Sequence, residues 1–452
     1  MVWQNRDRVD QPIRLSIVTQ FYPPDYAATG QLIEELAQQL GTSAVKVQIF
    51  TGQPGYAFQS DSAPMDQSVG SIKIKRSRTS RLWPRRIRGR AINGLLFFFR
   101  AIIRLLDPRY KTDVVMVTTE PPYLGIAAYL IHSLVGIPYI CLLYDLYPDV
   151  AVALKVLPGK HWITRLWDHL NRRVWKRAEK IVVLSSTMRQ RILEKSPGLE
   201  DKIAIVHNWA DPNIIQPLPK SENWFSQEYN LDSKFTVLYS GNMGRCHDIL
   251  TIIETVKILK DEPVQFVFIG NGAKRQNCID TFTELGIENC LFLPYQDRQV
   301  LPYSLTACDL NLISIDREME GLVAPSKLYS SLASGRPIAA ICPADSYLRD
   351  IVITSHCGIA IENGDAKGLA NFIVKLSQDA MLGKQMGENG RKYMLENFTP
   401  ECIAEQYLQI ILDCMDLSST RSIPRTTVPS STGESFLKKH QTIPKSRQAQ
   451  KF

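Results

Sequence analysis

The 452-residue sequence contains no Asp-x-Asp pair, and its nine cysteines include no Cys-x-x-Cys pair. Proteins that hold a hard divalent cation usually supply several carboxylates to it, so the sequence argues against a metal-bound substrate. An odd number of dispersed cysteines inside apolar stretches indicates reduced thiols, rather than a disulfide framework or a zinc site. We therefore expect neither a metal nor a cofactor.

The sequence also has no apolar run long enough to span a bilayer, and we expect no leader segment. The apolar run at residues 94–99 is soon interrupted by Arg100 and Arg104 and is too short to span a bilayer. Arg6, Asp7, Arg8 and Asp10 lie before the first candidate strand, which is not the pattern of a signal peptide. With 44% hydrophobic and 22% charged residues, the chain has the composition of a cytoplasmic globular protein.

Basic charge is unevenly distributed along the chain. The formal net charge is +8, but residues 67–106 contain eleven Lys or Arg and no acid. Residues 417–452 contain seven basic residues against Glu434 alone. Such segments attract lipid head groups, nucleic acids or phosphorylated substrates.

Short β-branched runs alternate with helical patterns through most of the chain, which is typical of parallel α/β construction. Candidate strands fall at residues 15–19, 45–50, 114–118, 139–143, 181–184, 203–206, 235–239, 264–269, 290–293, 310–313 and 337–341. Candidate helices fall at residues 29–40, 161–177, 249–260, 325–333 and 368–376.

Residues 208–233 lose this periodicity and contain three prolines, which favours an interdomain linker. We therefore expect an α/β protein with two Rossmann-like domains that face each other across a cleft. The expected boundaries are 12–208 for the first domain, 209–233 for the linker, 234–398 for the second domain, 399–416 for a closing helix and 417–452 for a disordered basic tail. Two such domains bind their ligand at the carboxyl ends of the strands, in the crevice between them.

The first motif that could carry chemistry is the segment Ser240-Gly241-Asn242-Met243-Gly244-Arg245, between a strand and a helix. Glycines allow a sharp turn in which N–H groups point at an anion, and a helix N-terminus adds positive potential. Arg245 supplies a full charge beside the turn. The glycines by themselves demand only a tight turn, so both interpretations stay open here.

The second motif covers residues 318–337 and opens a helix near Pro325. The loop before this helix offers free N–H groups from Gly321, Leu322 and Val323. Lys327 lies in the first helical turn, where the macrodipole disfavours a cation. That position suggests an anion between helix and lysine, whereas a solvated surface lysine is the alternative.

Over residues 15–415 the chain resembles family 4 retaining glycosyltransferases of the GT-B fold, and above all the bacterial enzymes of colanic acid, O-antigen and exopolysaccharide assembly. The two motifs above resemble that family's second domain. The resemblance extends to four further segments, in the family's order: Phe21-Tyr22-Pro23-Pro24 with Gly30, Asp145-Leu146-Tyr147-Pro148-Asp149, Val206-His207-Asn208-Trp209-Ala210-Asp211 and Phe268-Ile269-Gly270-Asn271-Gly272.

The resemblance implies roles for these positions. Glu320, Asp145, Arg245 and Lys327 would form the catalytic set, with Glu320 on the donor-sugar hydroxyls and the two basic residues on the diphosphate. The donor-binding set would be Gly30, Gly241, Asn242, Met243, Gly244, Gly270, Tyr295, Gly321, Leu322, Val323 and Ser330. Basic residues and N–H groups would stabilise the leaving diphosphate without Mg²⁺. In the family, a departing phosphate oxygen is thought to accept the acceptor's proton, so no carboxylate nucleophile is named.

Two positions depart from the family pattern. Ser330 stands where the family has a glutamate that binds the ribose hydroxyls, and serine is shorter and uncharged. Tyr144 replaces a histidine that commonly precedes the central aspartate. Tyrosine can donate a hydrogen bond but is not a cation near neutral pH. Asp149, His132 and His169 are discounted as general bases, because the histidines lie in helical patterns beside apolar residues.

The arginine-rich stretch 73–90 contains Leu82 and Trp83 among its basic residues. It fits a loop that rests on an anionic membrane surface, whereas the following helix is expected to pack on the sheet. The chain has no recognised nucleic-acid motif, so we expect no nucleic-acid partner. The expected location is cytoplasmic and peripheral, on the inner face of the plasma membrane.

The resulting hypothesis is a metal-independent hexosyltransferase that moves a sugar from a UDP- or GDP-linked donor to a lipid-linked saccharide in cell-surface polysaccharide synthesis. One alternative is a nucleotide-sugar 2-epimerase of the same fold, which needs acid and base side chains in the cleft. Another is a non-catalytic nucleotide-sugar binding protein, because of Ser330.

Overall fold

The computed structural model describes residues 12–25, 28–41, 45–54, 63–78 and 87–421. Within these residues the chain forms two successive α/β units, an eight-stranded sheet followed by a six-stranded one. The two predicted Rossmann-like domains are therefore confirmed. No helix of the described part is long and apolar enough to cross a membrane.

The first sheet has the strand order β3-β4-β2-β1-β5-β6-β7-β8. Its neighbours pair in parallel except for β3 with β4. In the centre, Ile17 lies between Ile49 and Met116, and all three are buried because helices cover both faces of the sheet. The strands are β1 (Ile13–Val18), β2 (Val45–Thr51), β3 (Asp66–Val69), β4 (Ile72–Arg76), β5 (Val114–Val117), β6 (Tyr139–Leu143), β7 (Lys180–Val183) and β8 (Ile203–Ile205).

Helices connect these strands. Two of them begin at a side-chain cap that satisfies a free N–H group: His161 accepts from Ile163 N, and Ser185 accepts from Met188 N. The helices of the first unit are α1 (Ala28–Leu40), α2 (Ile87–Leu106), α3 (Leu124–Val135), α4 (Asp149–Ala153), α5 (Trp162–Arg177) and α6 (Ser186–Lys195).

The second sheet is parallel throughout, in the order β11-β10-β9-β12-β13-β14. This order reverses direction beside β9, so a crevice opens at the carboxyl ends of β9 and β12. The elements are α7 (Trp224–Glu228), β9 (Phe235–Ser240), α8 (Leu250–Ile258), β10 (Val264–Ile269), α9 (Arg275–Glu284), β11 (Cys290–Leu293), α10 (Leu301–Thr306), β12 (Leu310–Ser314), α11 (Lys327–Ala333), β13 (Ile338–Ile341), α12 (Tyr347–Ser355), β14 (Gly358–Ile361), α13 (Ala366–Gln378), α14 (Ala380–Asn397) and α15 (Pro400–Arg421).

The last helix returns to the first unit. α15 packs against α1 and β5, and its side chains Ile403, Tyr407, Ile411 and Cys414 are buried in the core of the first unit. The end of the chain thus completes the domain with which it began.

Residues 209–233, expected as a linker, pack on the second unit. Ile215, Phe225 and Leu231 are buried in the same core as the inner face of that unit's sheet. Prolines interrupt the helical periodicity of this stretch, but they do not prevent its apolar side chains from being buried. The β3–β4 hairpin is a second difference, because Lys73, Lys75 and Arg76 lie in a strand and not in the expected basic loop.

Candidate active site

Two glycine-containing turns meet at the crevice of the second unit. The turn after β9 and the turn after β10 are joined by hydrogen bonds from Gly241 N to the Ile269 carbonyl and from Met243 N to the Asn271 carbonyl, each 2.8 Å long. A Cβ on Gly270 would lie 2.2 Å from the Gly241 carbonyl oxygen, and one on Gly272 would lie 2.5 Å from the Met243 carbonyl. Only glycine fits at 270 and 272, because the two turns pack backbone against backbone.

Lys327 lies against the first of these turns. A Cβ on Gly241 would be 3.5 Å from the Lys327 ammonium nitrogen, and that nitrogen lies 3.9 Å from the centre of the Tyr239 ring. The nitrogen is buried and has no hydrogen-bond partner among the residues described. Burial lowers the pKa of Lys327 to about 7. A buried cation that lacks a partner fits a site that an anion fills.

His247 was missed by the sequence analysis, although it lies only three residues beyond Gly244. Its Nδ1 lies 2.7 Å from the Ser314 carbonyl, and because a carbonyl only accepts, Nδ1 carries the hydrogen. Burial and the neighbouring Lys327 lower the pKa of His247 to about 3, so the imidazole is neutral at physiological pH. Lys274 donates to the His247 carbonyl over 2.6 Å and adds a second cation to this edge.

The start of α8 differs from the expectation. The helix begins at Leu250, and the Asp248 carboxylate accepts from Thr251 N at 3.0 Å. A carboxylate therefore already caps this helix. Positive potential in the turn after β9 comes from backbone N–H groups and lysines, and not from a free helix N-terminus.

The loop before α11 contacts the first unit. Glu320 is buried, and its Oε1 accepts a hydrogen bond of 2.7 Å from the Thr187 hydroxyl on α6. Burial raises the pKa of Glu320 above its ordinary value, while the hydroxyls of Ser346 and Thr187 oppose that rise. A Cβ on Gly321 would meet the Thr187 carbonyl at 2.9 Å, so glycine permits this close approach.

Asp145 lies at the same contact, from the first unit. It forms an isolated antiparallel bridge with Val323, and Leu146 N donates to the Leu322 carbonyl over 2.9 Å. Burial raises the pKa of Asp145 to about 6. The structure therefore places Asp145 beside Leu322 and Val323, in the same loop that holds Glu320 against α6. In this loop Glu320 precedes Lys327 by seven residues.

Glu120 is a second residue that the sequence analysis missed. It follows β5 and is therefore a neighbour of Asp145, which follows the adjacent strand β6. Its Oε1 accepts from the Thr29 hydroxyl at 3.2 Å, while Oε2 is buried without a partner among the described residues. Burial, with the nearby Asp145 as a smaller cause, raises the pKa of Glu120 to about 8. The only sequence signal was a carboxylate directly after a predicted strand.

Three positions that the sequence singled out have the following surroundings in the structure. The Ser330 hydroxyl donates to the Lys327 carbonyl within α11. Gly30 packs on the Phe21–Tyr22 backbone, where a Cβ would come within 3.1 Å, so packing explains this glycine. Tyr144 is buried, and its hydroxyl has no hydrogen-bond partner in the described part of the chain.

The remaining predicted residues surround the two turns. Arg245 and Asn242 are exposed beside the cleft, whereas Met243 is buried under the turn. Asn242 lies against Gly244, where a Cβ would be 2.9 Å from the Asn242 amide nitrogen. Tyr295 is 58% exposed and borders Gly270, where a Cβ would be 3.3 Å from its ring.

A second set of contacts joins the two units at the side of the cleft. Glu35 on α1 accepts a hydrogen bond of 2.8 Å from the Trp209 indole and forms an ion pair with Arg298. Among the described residues, no group of three or more His, Cys, Asp or Glu side chains is arranged to hold a metal ion.

Family comparisons match both units. Residues 28–209 match the family described as glycosyl transferase 4-like domain, and residues 220–393 match the family described as glycosyl transferases group 1. The two matches follow one another along the chain and correspond to its two sheets.

Two curated relatives agree with these matches. The chain is 25% identical over 405 residues to a probable glycosyltransferase, WbjE, of Pseudomonas aeruginosa, covering 87% of this chain and 96% of that protein. It is 22% identical over 342 residues to a putative colanic acid biosynthesis glycosyl transferase, WcaI, of Escherichia coli, covering 72% and 82%.

Solved structures show the same fold. A sucrose-phosphate synthase of Thermosynechococcus elongatus superimposes with a TM-score of 0.72 at 16% identity, over 90% of this chain and all of that one. Anabaena HepE, solved in complex with UDP-glucose, superimposes with a TM-score of 0.64 at 14% identity, over 88% and 99% of the two chains. The two family matches show that the chain consists of a glycosyl transferase 4-like domain followed by a glycosyl transferases group 1 domain, the family 4 type of glycosyltransferase, and the solved structures show that it has the GT-B fold.

Proposed function

We propose that the protein transfers a hexose from a UDP- or GDP-linked donor to a saccharide acceptor and retains the configuration of the transferred sugar. The observation that carries this proposal is the buried Lys327 ammonium, which lies against the Gly241 turn without a hydrogen-bond partner in the described structure. The complex of the structural neighbour HepE with UDP-glucose supports a nucleotide-sugar donor.

In this proposal the diphosphate lies between the Gly241–Gly244 turn and Lys327, with Arg245 at the open side. The N–H groups of Gly321, Leu322 and Val323 belong to the loop that leads into Lys327. Cations and N–H donors stabilise the negative charge that develops on the leaving diphosphate. Because the diphosphate has these partners, the proposed reaction is independent of Mg²⁺. The acceptor's proton passes to a departing phosphate oxygen.

The donor sugar lies where the two units meet. Glu320 binds its hydroxyls, since one carboxylate oxygen is fixed by Thr187 and the loop around it is held against α6. Asp145 meets the same loop from the first unit, and Glu120 is its neighbour. With a pKa of about 8, Glu120 is mostly protonated at neutral pH and donates a hydrogen bond to a hydroxyl oxygen, whereas Asp145, with a pKa of about 6, is mostly ionised and accepts hydrogen bonds from hydroxyls. Tyr295, beside Gly270, borders the base.

The proposed acceptor is a lipid-linked saccharide, and the proposed pathway is the assembly of a cell-surface polysaccharide at the cytoplasmic face of the plasma membrane. The colanic acid biosynthesis for which the relative WcaI is named supports the pathway. The sequence-based membrane segment is only partly described: residues 79–86, which include Arg81, Trp83, Arg85 and Arg86, lie outside the described residues. The tail from 422 to 452 also lies outside them.

A donor screen tests the proposal. Thermal unfolding should shift upward with a UDP- or GDP-linked hexose, because a ligand that binds the folded state raises the midpoint. The donor that shifts the midpoint is then incubated with a lipid-linked saccharide extract, and the anomeric configuration of the product is read by NMR. We expect the transferred sugar to keep the anomeric configuration that it has in the donor. We also expect equal activity with and without EDTA. An inverted product would refute retention, and loss of activity in EDTA would refute the metal-free mechanism.

The same experiment without acceptor separates the epimerase alternative. An epimerase would convert the sugar of the donor itself, whereas a glycosyltransferase needs the acceptor. Tight donor binding with neither conversion nor transfer across the acceptor extract would instead favour a non-catalytic binding protein.

A further inference from the structure

The helix α2 exposes an apolar face. Five large apolar side chains recur at intervals of three or four residues and are all exposed, with Ile103 at 70% and Phe99 at 53%: Ile92, Leu95, Phe99, Ile103 and Leu106. The opposite side of the helix supplies Phe97, Ala101 and Leu105 to the core. The sequence analysis expected this helix to have a purely structural role, but packing on the sheet uses only one of its two apolar sides.

The apolar face continues over the neighbouring helices. α2 packs on α3, and α3 packs on α5, so the three outer surfaces are adjacent. α3 and the start of α5 carry more exposed apolar side chains than a solvated surface requires, with Leu134 at 68% and Trp162 at 66%. These exposed apolar side chains are Leu130, Leu134 and Val135 on α3, Val156 in the turn before α5, and Trp162, Ile163 and Leu166 on α5.

A row of aromatic rings links this surface to the cleft. Phe98, beside the exposed Phe99, has its ring 5.8 Å from that of Tyr123, and Tyr123 lies 6.4 Å from Trp167 on α5. Trp167 in turn stacks on Tyr147 at 6.0 Å. Tyr147 follows Asp145 by two residues, so the row ends at the sugar-binding edge of the first unit.

Basic side chains border the apolar surface on α5. Seven of them are exposed on this helix or in the turn before it: Lys155, Lys160, Arg165, Arg172, Arg173, Lys176 and Arg177. Asp149 and Asp168, the two acids of residues 149–177, both pair with the single ammonium of Lys195, so these three groups leave one net negative charge against the seven positive ones. The described part of this border is therefore strongly positive.

We propose that the outer face of α2, α3 and α5 docks on an anionic lipid bilayer and brings the Asp145 edge of the cleft to the lipid head groups. We call this face the docking surface. Apolar and tryptophan side chains enter the head-group layer, while arginines and lysines pair with lipid phosphates. The inference rests on the proposed lipid-linked acceptor and names the surface that reaches it.

A bilayer fits this surface better than a second copy of the chain does. In a two-fold symmetric dimer the same patch faces itself, so the seven basic residues of α5 would approach one another. The exposed side chains also project from the outer sides of three adjacent helices, an arrangement that matches a broad, flat partner.

The test measures sedimentation of the full-length protein with phosphatidylglycerol vesicles at low salt, with phosphatidylcholine vesicles for comparison. The wild type should bind the anionic vesicles and be released as ionic strength rises. Trp162→Glu combined with Leu166→Glu should reduce binding at least tenfold. The matched control is Ile353→Glu combined with Met381→Glu, which changes two exposed apolar residues of the second unit and should leave binding unchanged.

A second pair of variants tests the charged border. Arg165→Glu, Arg172→Glu and Arg173→Glu together should reduce binding at least tenfold. Lys367→Glu, Lys375→Glu and Lys392→Glu make the same change of net charge on exposed positions of the second unit and should have little effect. Trp162→Ser provides a milder variant in case a double glutamate variant does not fold.

The outcomes separate docking from catalysis. UDP binding by calorimetry should be the same in all variants. Wild-type binding that survives both docking-surface variants would refute the proposal, as would equal losses in the controls. Loss confined to a variant with Arg81, Arg85, Arg86 and Arg88 reversed to Glu would place the anchor in the basic loop instead. A wild type that binds UDP but no anionic vesicle would refute docking and leave the proposed glycosyl transfer standing.

Discussion

A cation without a partner is the residue-scale feature that most shapes the proposed chemistry. The ammonium of Lys327 contacts the face of Tyr239, and its hydrogen-bonding capacity is unused within the described structure. Because burial lowers its pKa to about 7, the side chain is partly neutral in the empty protein at physiological pH. An anion bound beside it would restore the charge.

This predicts a proton uptake on binding of UDP. Above pH 7 the free protein must protonate Lys327 before the diphosphate gains a full charge partner, so affinity should fall as pH rises. Between pH 7 and pH 8.5 the dissociation constant should increase roughly tenfold, as expected for one group with a pKa near 7. Isothermal titration calorimetry in buffers of different ionisation enthalpy measures both the affinity and the proton uptake.

Lys327→Met should abolish this pH dependence. Arg245→Ala should weaken UDP binding, by roughly 1.5–3 kcal/mol for a charge-assisted hydrogen bond, without changing the slope with pH. Uridine, which has no phosphate, should bind with little pH dependence. A slope that persists in Lys327→Met would contradict the assignment.

Glu120 gives a second residue-scale prediction, on stability. Its pKa in the folded protein is about 8, above the ordinary 4.5. The folded state therefore holds a proton that the unfolded chain releases, and the stability this contributes is complete below pH 4.5 and lost as pH rises to 8. Glu120→Gln removes the ionisable group, so it should raise the free energy of unfolding at pH 8, by on the order of 1 kcal/mol because Glu120 is only partly buried.

Urea unfolding at pH 5 and pH 8 measures the effect. The gain from Glu120→Gln should be clear at pH 8 and small at pH 5. Glu284→Gln, on the exposed side of α9, is the matched control and should show no difference between the two pH values. If Glu120→Gln raises the free energy of unfolding equally at pH 5 and pH 8, proton linkage is not the cause.

At the scale of single elements, the turns after β9 and β10 are fixed by backbone contact. Gly270 has φ +127°, and a Cβ there would overlap the Gly241 carbonyl oxygen. Gly270→Ala should therefore destabilise the protein by roughly 3 kcal/mol or more and weaken UDP binding, because the Gly241 turn must move. Gly364 also has a positive φ, +92°, but no atom lies near its Cβ position. Gly364→Ala should cost about 1–2 kcal/mol, for backbone strain alone. Urea unfolding measures the stability of both variants. Equal losses of stability in Gly270→Ala and Gly364→Ala would refute the steric argument.

The elements also show what the sequence could predict. Buried parallel strands such as β5 and β6 read as continuous apolar runs, so their positions and the α/β class follow from the sequence alone. The β3–β4 hairpin could not be predicted from the sequence, because β3 is exposed at every residue and β4 alternates apolar residues with Lys and Arg. Its Arg76 was assigned to a membrane loop, yet it is buried and donates to the carbonyls of Pro23 and Pro64.

The candidate site was also only partly predictable from the sequence. Motifs that are contiguous in sequence, such as the Gly241 turn and the loop at Glu320, were predicted as units and lie beside the cleft. Glu120 was not predicted, because its environment combines Thr29 and Asp145, which only the strand order brings together. The basic border of α5 was missed because its side chains gather on one helix face, whereas charge was counted along the chain.

At the scale of the whole molecule, three groups of contacts among the described residues help to tie the two units together. Thr187 contacts Glu320 at the sugar-binding edge, Glu35 contacts Trp209 and Arg298 at the side, and α15 crosses back to the first unit. The first combines a hydrogen bond with Leu322, which is buried in the core of the first unit, and the second is polar. The third buries a longer row of apolar side chains and is therefore the most extensive apolar connection of the three.

This difference predicts the result of truncation. Ile403, Tyr407, Ile411 and Cys414 are each at most 1% exposed in the core of the first unit. Full burial of a large apolar side chain contributes about 1.5–3 kcal/mol, so losing these four removes an amount comparable to a typical total stability of about 5–15 kcal/mol. A chain that ends after Thr399 should therefore fail to fold cooperatively, whereas one that ends after Arg421 should unfold at the wild-type midpoint. Should the shorter chain prove insoluble, Ile411→Ala in the full chain should still cost about 2–5 kcal/mol. Circular dichroism measures the unfolding of both chains. If the chain that ends after Thr399 unfolds with the same midpoint as the wild type, the first unit is complete without α15.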